Sequence, residues 1–152
     1  MLESEITKKI FSQLPGKYFI KRIIGKYGIG EGVAYFLKND TDSLLYKEEL
    51  EINYHTIDYK IAAVKEYQYI FEDNKITKYF ISKENNNLFY QLNFTAHSPL
   101  LQATGIHVCN QDRYEATYTF LESDSFILNY QILGPEKDYT IITDFRKIEV
   151  KN

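Results

Sequence analysis

Two side chains that can do chemistry stand close together in the last third of the chain. His107 and Cys109 are two residues apart, and Asp112 and Tyr114 follow them. On a strand, residues two apart face the same side, so the imidazole and the thiol would lie together. A histidine can act as a general acid or base, with Asp112 orienting it, as in a hydrolase or isomerase. It can also activate a nucleophilic Cys109 as its base.

Other interpretations of this cluster need no catalysis. A metal site requires three or four ligands and only two soft ones are local, so we predict no metal and no cofactor. Cys109 is predicted to be a small buried hydrophobe, and Asp112 to open the turn before Tyr114 by bonding backbone amides. His107 would then either cap that turn or point into the interior as a ligand contact.

Two charged residues occupy positions that otherwise carry apolar side chains. Arg22 lies between two isoleucines, and Glu48 lies between Tyr46 and Leu50 at a spacing of two. A charge that points inward costs several kcal/mol unless it is paired. We therefore predict that Arg22 and Glu48 pair with each other or with a ligand, with Lys65 as a third interior candidate. The alternative is that the strands twist and these charges reach water.

The elements that must position these residues follow from the spacing of the apolar residues. Between Leu2 and Leu14 they recur every three or four residues, which predicts one short amphipathic helix that Pro15-Gly16 ends. From Tyr18 to Phe145 they alternate with polar residues instead, which is the period of a strand. Polar turn clusters divide this region into about eight to ten strands of hairpin length. The stretch from residue 96 to 104 lacks clear alternation.

This pattern predicts an all-β fold closed into a single antiparallel barrel. Nearly every strand has one apolar and one polar face, as a closed sheet around one interior requires, and closure removes exposed edges. A chain of 152 residues is long enough for one sizeable core but short for two. We therefore predict one domain over 1–152, with the helix over 2–14 and the barrel over 17–150. The strand of Tyr18 should pair with or lie beside the strand of Phe145, and the helix should cover one end of the barrel. The string Gly28-x-Gly30-x-Gly32 is predicted to be a flexible hairpin loop, since no helix follows it.

The composition limits the partners and the location. Aromatic residues make up 16% of the chain, with Tyr 14, Phe 10 and no Trp, which favours strands and a tyrosine-rich interior. A net charge of -3 provides no basic field for a phosphate backbone, so we predict no nucleic-acid partner. No run approaches the roughly 18 apolar residues of a membrane span. Without a secretory signal or a second cysteine, we expect a cytoplasmic protein, with export by a signal-independent route left open.

Two strings in the last third resemble a known family. They are His-x-Cys-x-x-Asp-x-Tyr over 107–114 and Gly-Pro-x-Lys-Asp-Tyr over 134–139. With residues 14–18, Arg22, Tyr46-x-Glu48 and residues 65–69, they are similar in order to the family called domain of unknown function 6314, from about Phe11 to Arg146. That family tends to have Trp where this chain has Tyr18. The resemblance implies a calycin-like β-barrel and little about chemistry, because the family has no assigned activity.

A looser similarity is to lipocalins and fatty-acid-binding proteins. In those proteins a Gly-x-Trp near the first strand is covered by a cation from the last strand. Gly16-x-Tyr18 and Arg146 occupy the corresponding ends of this chain. The similarity implies that Arg146 lies over the Tyr18 ring at the bottom of the barrel, a contact of about 0.5–2 kcal/mol.

We predict a binding protein for a small, partly apolar or amphipathic molecule that carries a carboxylate or a hydroxyl. The residues predicted to contact this ligand are Arg22, Tyr46, Glu48, Tyr67, His107, Tyr114 and Tyr118. Two other functions stay open: a protein-interaction domain with a filled barrel, and a hydrolase or isomerase that uses His107. An interior void of roughly 300 Å³ would favour ligand binding over interaction with a protein partner.

Overall fold

The computed structural model of this chain describes residues 2–82, 87–97 and 100–148. Its elements are α1 (Glu3–Gln13), β1 (Gly16–Ile24), β2 (Gly28–Asp40), β3 (Ser43–Tyr54), β4 (Ile61–Glu72), β5 (Lys75–Phe80), β6 (Asn87–Gln91), β7 (Asn93–His97), β8 (Leu100–Cys109), β9 (Asp112–Glu122), β10 (Ser125–Gly134) and β11 (Lys137–Lys147). The all-β class and the short N-terminal helix are confirmed, with eleven strands instead of eight to ten. Among the described residues, no helix has the length and apolarity that a membrane span needs. The predicted barrel residues 149 and 150 lie outside the described part.

The strands form one antiparallel sheet that curls into a nearly closed barrel. Its order is β6-β5-β4-β3-β2-β1-β11-β10-β9-β8-β7. The first and last strands pair as predicted, with Ile20 opposite Phe145. The two edge strands, β6 and β7, are consecutive in the chain, and β6 packs against β8. A Cβ at Gly105 on β8 would lie 2.6 Å from the Tyr90 ring on β6, so this approach requires glycine.

The extra strands come from segments without regular alternation. In β5, three consecutive residues, Ile76, Thr77 and Lys78, are buried, so the two-residue period is lost. The predicted strand over 88–94 is divided at Leu92, whose backbone N–H donates to the Ile76 carbonyl at 2.8 Å. The stretch from 96 to 104 contains the end of β7 and the start of β8, apart from residues 98 and 99, which lie outside the described part.

The helix and a layer of rings fill one end of the barrel, which we call the closed end. The helix side chains Ile10, Phe11 and Leu14 are buried there, and the Phe11 ring centroid lies 5.8 Å from that of Phe71. Beneath them lie the rings of Tyr18, Phe36, Phe126 and Phe145. Phe126 and Phe145 stack with centroids 4.3 Å apart. The helix therefore covers one barrel end, as the sequence predicted.

The cation at the closed end is Lys147, so the prediction of Arg146 was wrong. Lys147 Nζ lies 5.5 Å from the Tyr18 ring centroid and donates to the Gln13 carbonyl at 2.6 Å. The Arg146 side chain is 74% exposed and lies 3.6 Å from Asp144. Neighbouring residues on a strand face opposite sides, and Phe145 points inward, so Arg146 points to solvent.

Candidate functional site

A cavity in two adjoining parts occupies the barrel interior beyond the closed end. The inner chamber, of about 290 Å³, is lined by residues that include Arg22, Glu48 and Lys78. The side chamber, of about 300 Å³, is lined by residues that include Phe89 and His107. The two chambers share four lining residues, which are Lys65, Tyr67, Tyr130 and Ile141. Because they share these walls, one elongated molecule could occupy both.

A third pocket, of about 580 Å³, forms a mouth between two strand connections. The β1–β2 turn supplies Lys26 and Tyr27, and the β3–β4 connection supplies His55 and Thr56. The mouth shares Ile24, Tyr54 and Tyr139 with the inner chamber. This common wall gives the inner chamber a route to solvent at the end opposite the helix.

Arg22 and Glu48 form the predicted ion pair inside the barrel. Arg22 Nη1 lies 2.6 Å from Glu48 Oε2, and Nη2 donates to Oε1 at 2.9 Å. The Tyr46 hydroxyl also donates to Glu48 Oε1 at 2.7 Å, and Arg22 Nε donates to Thr143 Oγ1 at 2.8 Å. The side chains are 12% and 3% exposed, so the charges do not reach water freely. Burial raises the pKa of Glu48, but the hydrogen bonds and charge of Arg22 outweigh it and lower that pKa overall.

The glycine string on β2 makes this pair possible. β2 lies between β1 and β3, so the Arg22 side chain must cross the inner face of β2 to reach Glu48. Gly30 stands opposite Arg22, and Ala34 stands opposite Glu48, so no large side chain blocks the path. The prediction that Gly28-x-Gly30-x-Gly32 is a flexible hairpin loop was therefore wrong. These glycines lie inside a strand, where their small size leaves space for the guanidinium.

All three nitrogens of the guanidinium donate to Glu48 or Thr143, which leaves one N–H on Nη1 and one on Nη2 without a described partner. A bidentate pair of this kind is held in one geometry. The arrangement therefore fixes the Glu48 carboxylate and the Tyr46 hydroxyl at the wall of the inner chamber. The role of these residues in ligand binding stays a prediction.

Lys78 is the interior residue that the sequence interpretation missed. Its side chain is buried, and Nζ donates to the Tyr130 hydroxyl at 2.9 Å. Nζ lies 4.1 Å from the Tyr67 ring centroid and within 5.3–5.8 Å of those of Tyr46, Tyr69, Phe89, Tyr90 and Tyr130. Burial lowers the pKa of Lys78 well below its ordinary value of 10.5, and the attraction of Glu48 offsets this only in part. A signal was present, since Lys78 stands between Ile76 and Phe80 just as Arg22 stands between two isoleucines.

A chain of tyrosine hydroxyls extends from Lys78 toward the closed end. Tyr130 bonds to Tyr90 at 2.7 Å, Tyr90 bonds to Tyr118, and Tyr118 bonds to Tyr69 at 2.8 Å. Desolvation raises the pKa of all four hydroxyls, so they stay protonated at ordinary pH. Each hydroxyl can donate once and accept, so the chain satisfies its buried groups internally.

His107 points into the side chamber, one of the two orientations that the sequence left open. Its ring centroid lies 5.2 Å from that of Phe89 and 5.7 Å from that of Phe80. Tyr114 stands opposite it on β9. Within the part of the chain that the structure describes, no hydrogen bond joins His107 to Asp112, so the predicted orientation of His107 by Asp112 is not seen.

Asp112 instead joins the two strings that carry the family resemblance. Its carboxylate Oδ2 accepts a hydrogen bond from Lys137 Nζ at 2.8 Å. A Cβ at Gly134 would lie too close to Oδ1 of the same carboxylate, so a larger residue there would displace Asp112. Cys109 is exposed at the rim of the side chamber, so its prediction as a buried hydrophobe was wrong. It is the last residue of β8, next to a turn in which Asn110 has a φ of 56°.

The structure brings six of the seven predicted contact residues to the cavity. The inner chamber is lined by Arg22, Tyr46, Glu48 and Tyr67, and the side chamber by Tyr67, His107 and Tyr114. Tyr118 belongs to the hydroxyl chain behind these walls and is 2% exposed. Over residues 2–82, 87–97 and 100–148, no three His, Cys, Asp or Glu side chains form a group that could hold a metal ion.

The sequence matches a family described as "Family of unknown function (DUF6314)" over residues 14–147. This chain belongs to that family. The match includes Arg22, Glu48, Lys78 and the contact between Asp112 and Lys137, so the cavity and the turns at its rim lie within the family domain. A search of curated proteins finds no match.

Two solved structures resemble this member of the DUF6314 family in fold. The S-type phycobiliprotein lyase CPES from Guillardia theta has a TM-score of 0.67 at 7% identity, and the match covers 98% of this chain and 97% of the lyase. EF1p2_mFAP2b, solved bound to DFHBI, has a TM-score of 0.52 at 9% identity, covering 93% of this chain and 99% of that protein. At such identities the likeness establishes the fold alone, which agrees with a calycin-like barrel.

Proposed function

We propose that this protein binds a small, partly apolar molecule inside the barrel. The observation that carries the proposal is the cavity, whose two chambers measure about 290 and 300 Å³. Ligand sites commonly have volumes of about 300–1,000 Å³, with mostly apolar walls and a few placed polar groups. A barrel that served only as a protein-interaction surface would need no such space, so the cavity favours binding over that alternative.

The walls favour a flat molecule with an aromatic or conjugated part. In the side chamber, Phe89 stacks on Phe80 with centroids 4.3 Å apart, and its plane lies within 8° of that of Tyr130. Parallel ring faces of this kind pack best against another flat apolar surface. We place the apolar part of the ligand against these rings.

The polar end of the ligand is assigned to Lys78 instead of Arg22. The charge of Arg22 is already paired with Glu48 and its geometry is fixed by three hydrogen bonds, whereas Lys78 has one described hydrogen bond, to Tyr130, and no ion pair among the described residues. An ammonium or amine has three bonding directions at most, so Lys78 retains capacity for an oxygen atom of a ligand. His107 and Tyr114 would contact the other end of the molecule in the side chamber.

A similar fold in another protein supports this proposal. EF1p2_mFAP2b, whose fold matches 93% of this chain, was solved bound to the small molecule DFHBI. A barrel of this shape can therefore enclose a small molecule.

The first experiment is native mass spectrometry of the protein purified from its own host. A retained small molecule is expected to appear as a mass difference that is lost on denaturation. A second experiment titrates the protein with the dye ANS, whose fluorescence rises in apolar surroundings. Binding is measured for two matched variants on β4.

The matched variants are Ala63→Phe and Ala62→Phe. Ala63 lines the inner chamber, whereas Ala62 is exposed on the outer face of the same strand. We expect Ala63→Phe to weaken dye binding by at least about ten-fold because the ring fills the chamber, and Ala62→Phe to leave it unchanged. Both variants are first checked by circular dichroism. Equal dye binding by two folded variants would contradict binding in the cavity.

A further inference from the structure

Lys78 is buried to a degree that is unusual for a lysine. Its side chain is 3% exposed, and lysine is almost never buried to this degree unless it is paired. Among the ion pairs of the described residues, none includes Lys78. The neighbouring carboxylate of Glu48 is instead held by Arg22 and Tyr46. Lys78 is therefore an amine in an aromatic cavity without a carboxylate partner of its own.

The surroundings of Lys78 favour a neutral amine. Burial lowers its pKa most, and the charges of Arg22 and Lys65 lower it further, whereas the charge of Glu48 and the ring faces around Nζ act in the opposite direction; the net shift is downward. A neutral amine keeps a lone pair on nitrogen and is a nucleophile, which an ammonium is not. Because Lys78 is among the residues that line the inner chamber, we place a bound molecule within reach of that lone pair.

We propose that Lys78 is a covalent site for an apolar molecule with an aldehyde group, and that the two form an imine in the inner chamber. The inference rests on the proposed function, since the molecule must first enter the cavity. It adds a chemical class, an aromatic or conjugated aldehyde, to the ligand, and a reversible covalent bond to its retention.

The reaction balances without an oxidant or a reductant. The nitrogen lone pair forms a bond to the carbonyl carbon while the electron pair of the C=O double bond moves to oxygen. One amine proton moves to that oxygen, which gives a carbinolamine. The hydroxyl then leaves with the second amine proton as water, and a C=N bond remains.

The groups around Nζ suit each stage of this reaction. The Tyr130 hydroxyl lies 2.9 Å from Nζ, and its bond to Tyr90 connects it to a chain of protonated hydroxyls, so it can pass a proton to the leaving oxygen. If the imine is protonated, the Glu48 carboxylate and the Tyr67 ring, at 4.1 Å, stabilise its positive charge.

The test uses cinnamaldehyde as the probe, with sodium cyanoborohydride to reduce any imine to a stable amine. Peptide mapping of the wild-type protein then compares Lys78 with Lys60, whose side chain is 63% exposed. At pH 7 each unit by which a lysine pKa falls raises its neutral fraction about ten-fold. We therefore expect Lys78 to be labelled at least about ten times faster than Lys60. Lys78→Met should lose this label and keep that of Lys60.

A parallel measurement separates the imine from binding itself. Cinnamyl alcohol has nearly the same shape but cannot form an imine, and its displacement of ANS reports occupancy of the cavity. Displacement by the alcohol together with preferential labelling of Lys78 supports the inference. Displacement without preferential labelling overturns the imine and leaves the proposed function intact. If neither the alcohol nor the aldehyde displaces the dye and Lys78 is not preferred, both proposals are contradicted. The comparison of two lysines in the wild-type protein does not depend on whether the variant folds.

Discussion

The closed end and the inner chamber lie on the same strands and differ in what occupies their inward positions. At the closed end these positions hold rings that stack, as Phe126 and Phe145 do at 4.3 Å. Further along β1 and β3, the inward positions hold Arg22 and Glu48, and on β5 Lys78, around a cavity of about 290 Å³. Rings that fill space stabilise the fold, whereas buried charges beside a void cost stability. The comparison suggests that the closed end supports the barrel while the chamber is kept open for a ligand.

The largest expected effect is the loss of a ring from the closed end. Phe126→Ala should lower the free energy of unfolding by about 3–5 kcal/mol, because it leaves a hole in a filled layer. Phe80→Ala, at the wall of the side chamber, should cost only about 1–3 kcal/mol, because that ring is half-buried and already borders a void. Both values come from urea denaturation. Equal losses would erase the distinction between the two regions.

The next effect concerns the ion pair of the inner chamber. Glu48→Leu should cost about 3 kcal/mol, because it leaves the buried Arg22 charge without its partner. Arg22→Met should have a similar cost, and the double variant should cost less than the sum of the two. A double-mutant cycle measured by urea denaturation checks this. Additive losses near zero would mean that the two side chains are independent and solvated.

The same pair predicts how acid affects stability. The folded pKa of Glu48 lies below its ordinary value of 4.5, so its contribution is complete above pH 4.5 and is lost as the pH falls through the folded pKa. Wild type should therefore lose stability below pH 4.5 more steeply than Glu48→Leu does. Parallel acid titrations of unfolding would contradict the role given to this carboxylate.

Replacing Lys78 should raise the stability of the fold, whereas replacing Glu48 or Arg22 should lower it. Lys78→Met is expected to raise the free energy of unfolding at pH 7, because burial makes the charged form of Lys78 unfavourable in the folded chain and methionine has no charge to bury. Because the folded pKa of Lys78 lies below 10.5, the unfolded chain binds a proton that the folded chain does not. The advantage of the variant is therefore complete below the folded pKa and shrinks as the pH rises toward 10.5. The buried tyrosines are present in both proteins, so their titration cancels in the difference between the two free energies of unfolding. A variant less stable than wild type would show that Lys78 supports the fold.

Removing one hydroxyl from the chain of tyrosines that lies between the two regions should cause a smaller loss of stability. Tyr118→Phe should cost about 1–2 kcal/mol, because the hydroxyl bonds to both Tyr69 and Tyr90 and all three are buried. Tyr59→Phe is the matched control, since Tyr59 is 68% exposed. Thermal unfolding measures both variants. If both melt at the wild-type temperature, the chain contributes nothing measurable.

The smallest effect tests the cation at the closed end. Lys147→Met should cost about 0.5–1 kcal/mol, because Nζ contacts the Tyr18 ring and bonds the Gln13 carbonyl. Arg146→Met, one residue earlier on the outer face, should change stability by less than about 0.5 kcal/mol. A larger loss for Arg146→Met than for Lys147→Met would restore the original assignment.

The sequence by itself determined the elements whose period was regular. The spacing from Leu2 to Leu14 predicted the helix, and strict alternation predicted β1, β3, β4, β9, β10 and β11 within a few residues of their ends. It also predicted that Arg22 and Glu48 point inward, because each charge stands at a position where the alternation along its strand calls for an apolar residue. Each of these features depends on neighbours along the chain.

Only the tertiary structure decided which residues from distant strands share the cavity. In the short strand β5 the lysine stands between only two apolar positions, Ile76 and Phe80, so this alternation was too short to be recognised and Lys78 was missed. The choice between Lys147 and Arg146 depended on the register with β1. The glycines of β2 became part of the site only because β2 lies between the strands of Arg22 and Glu48. The pairing of Asp112 with Lys137, rather than with His107, came from the approach of two turns. The physical reason is that barrel closure brings together side chains whose distance along the chain carries no information about their distance in space.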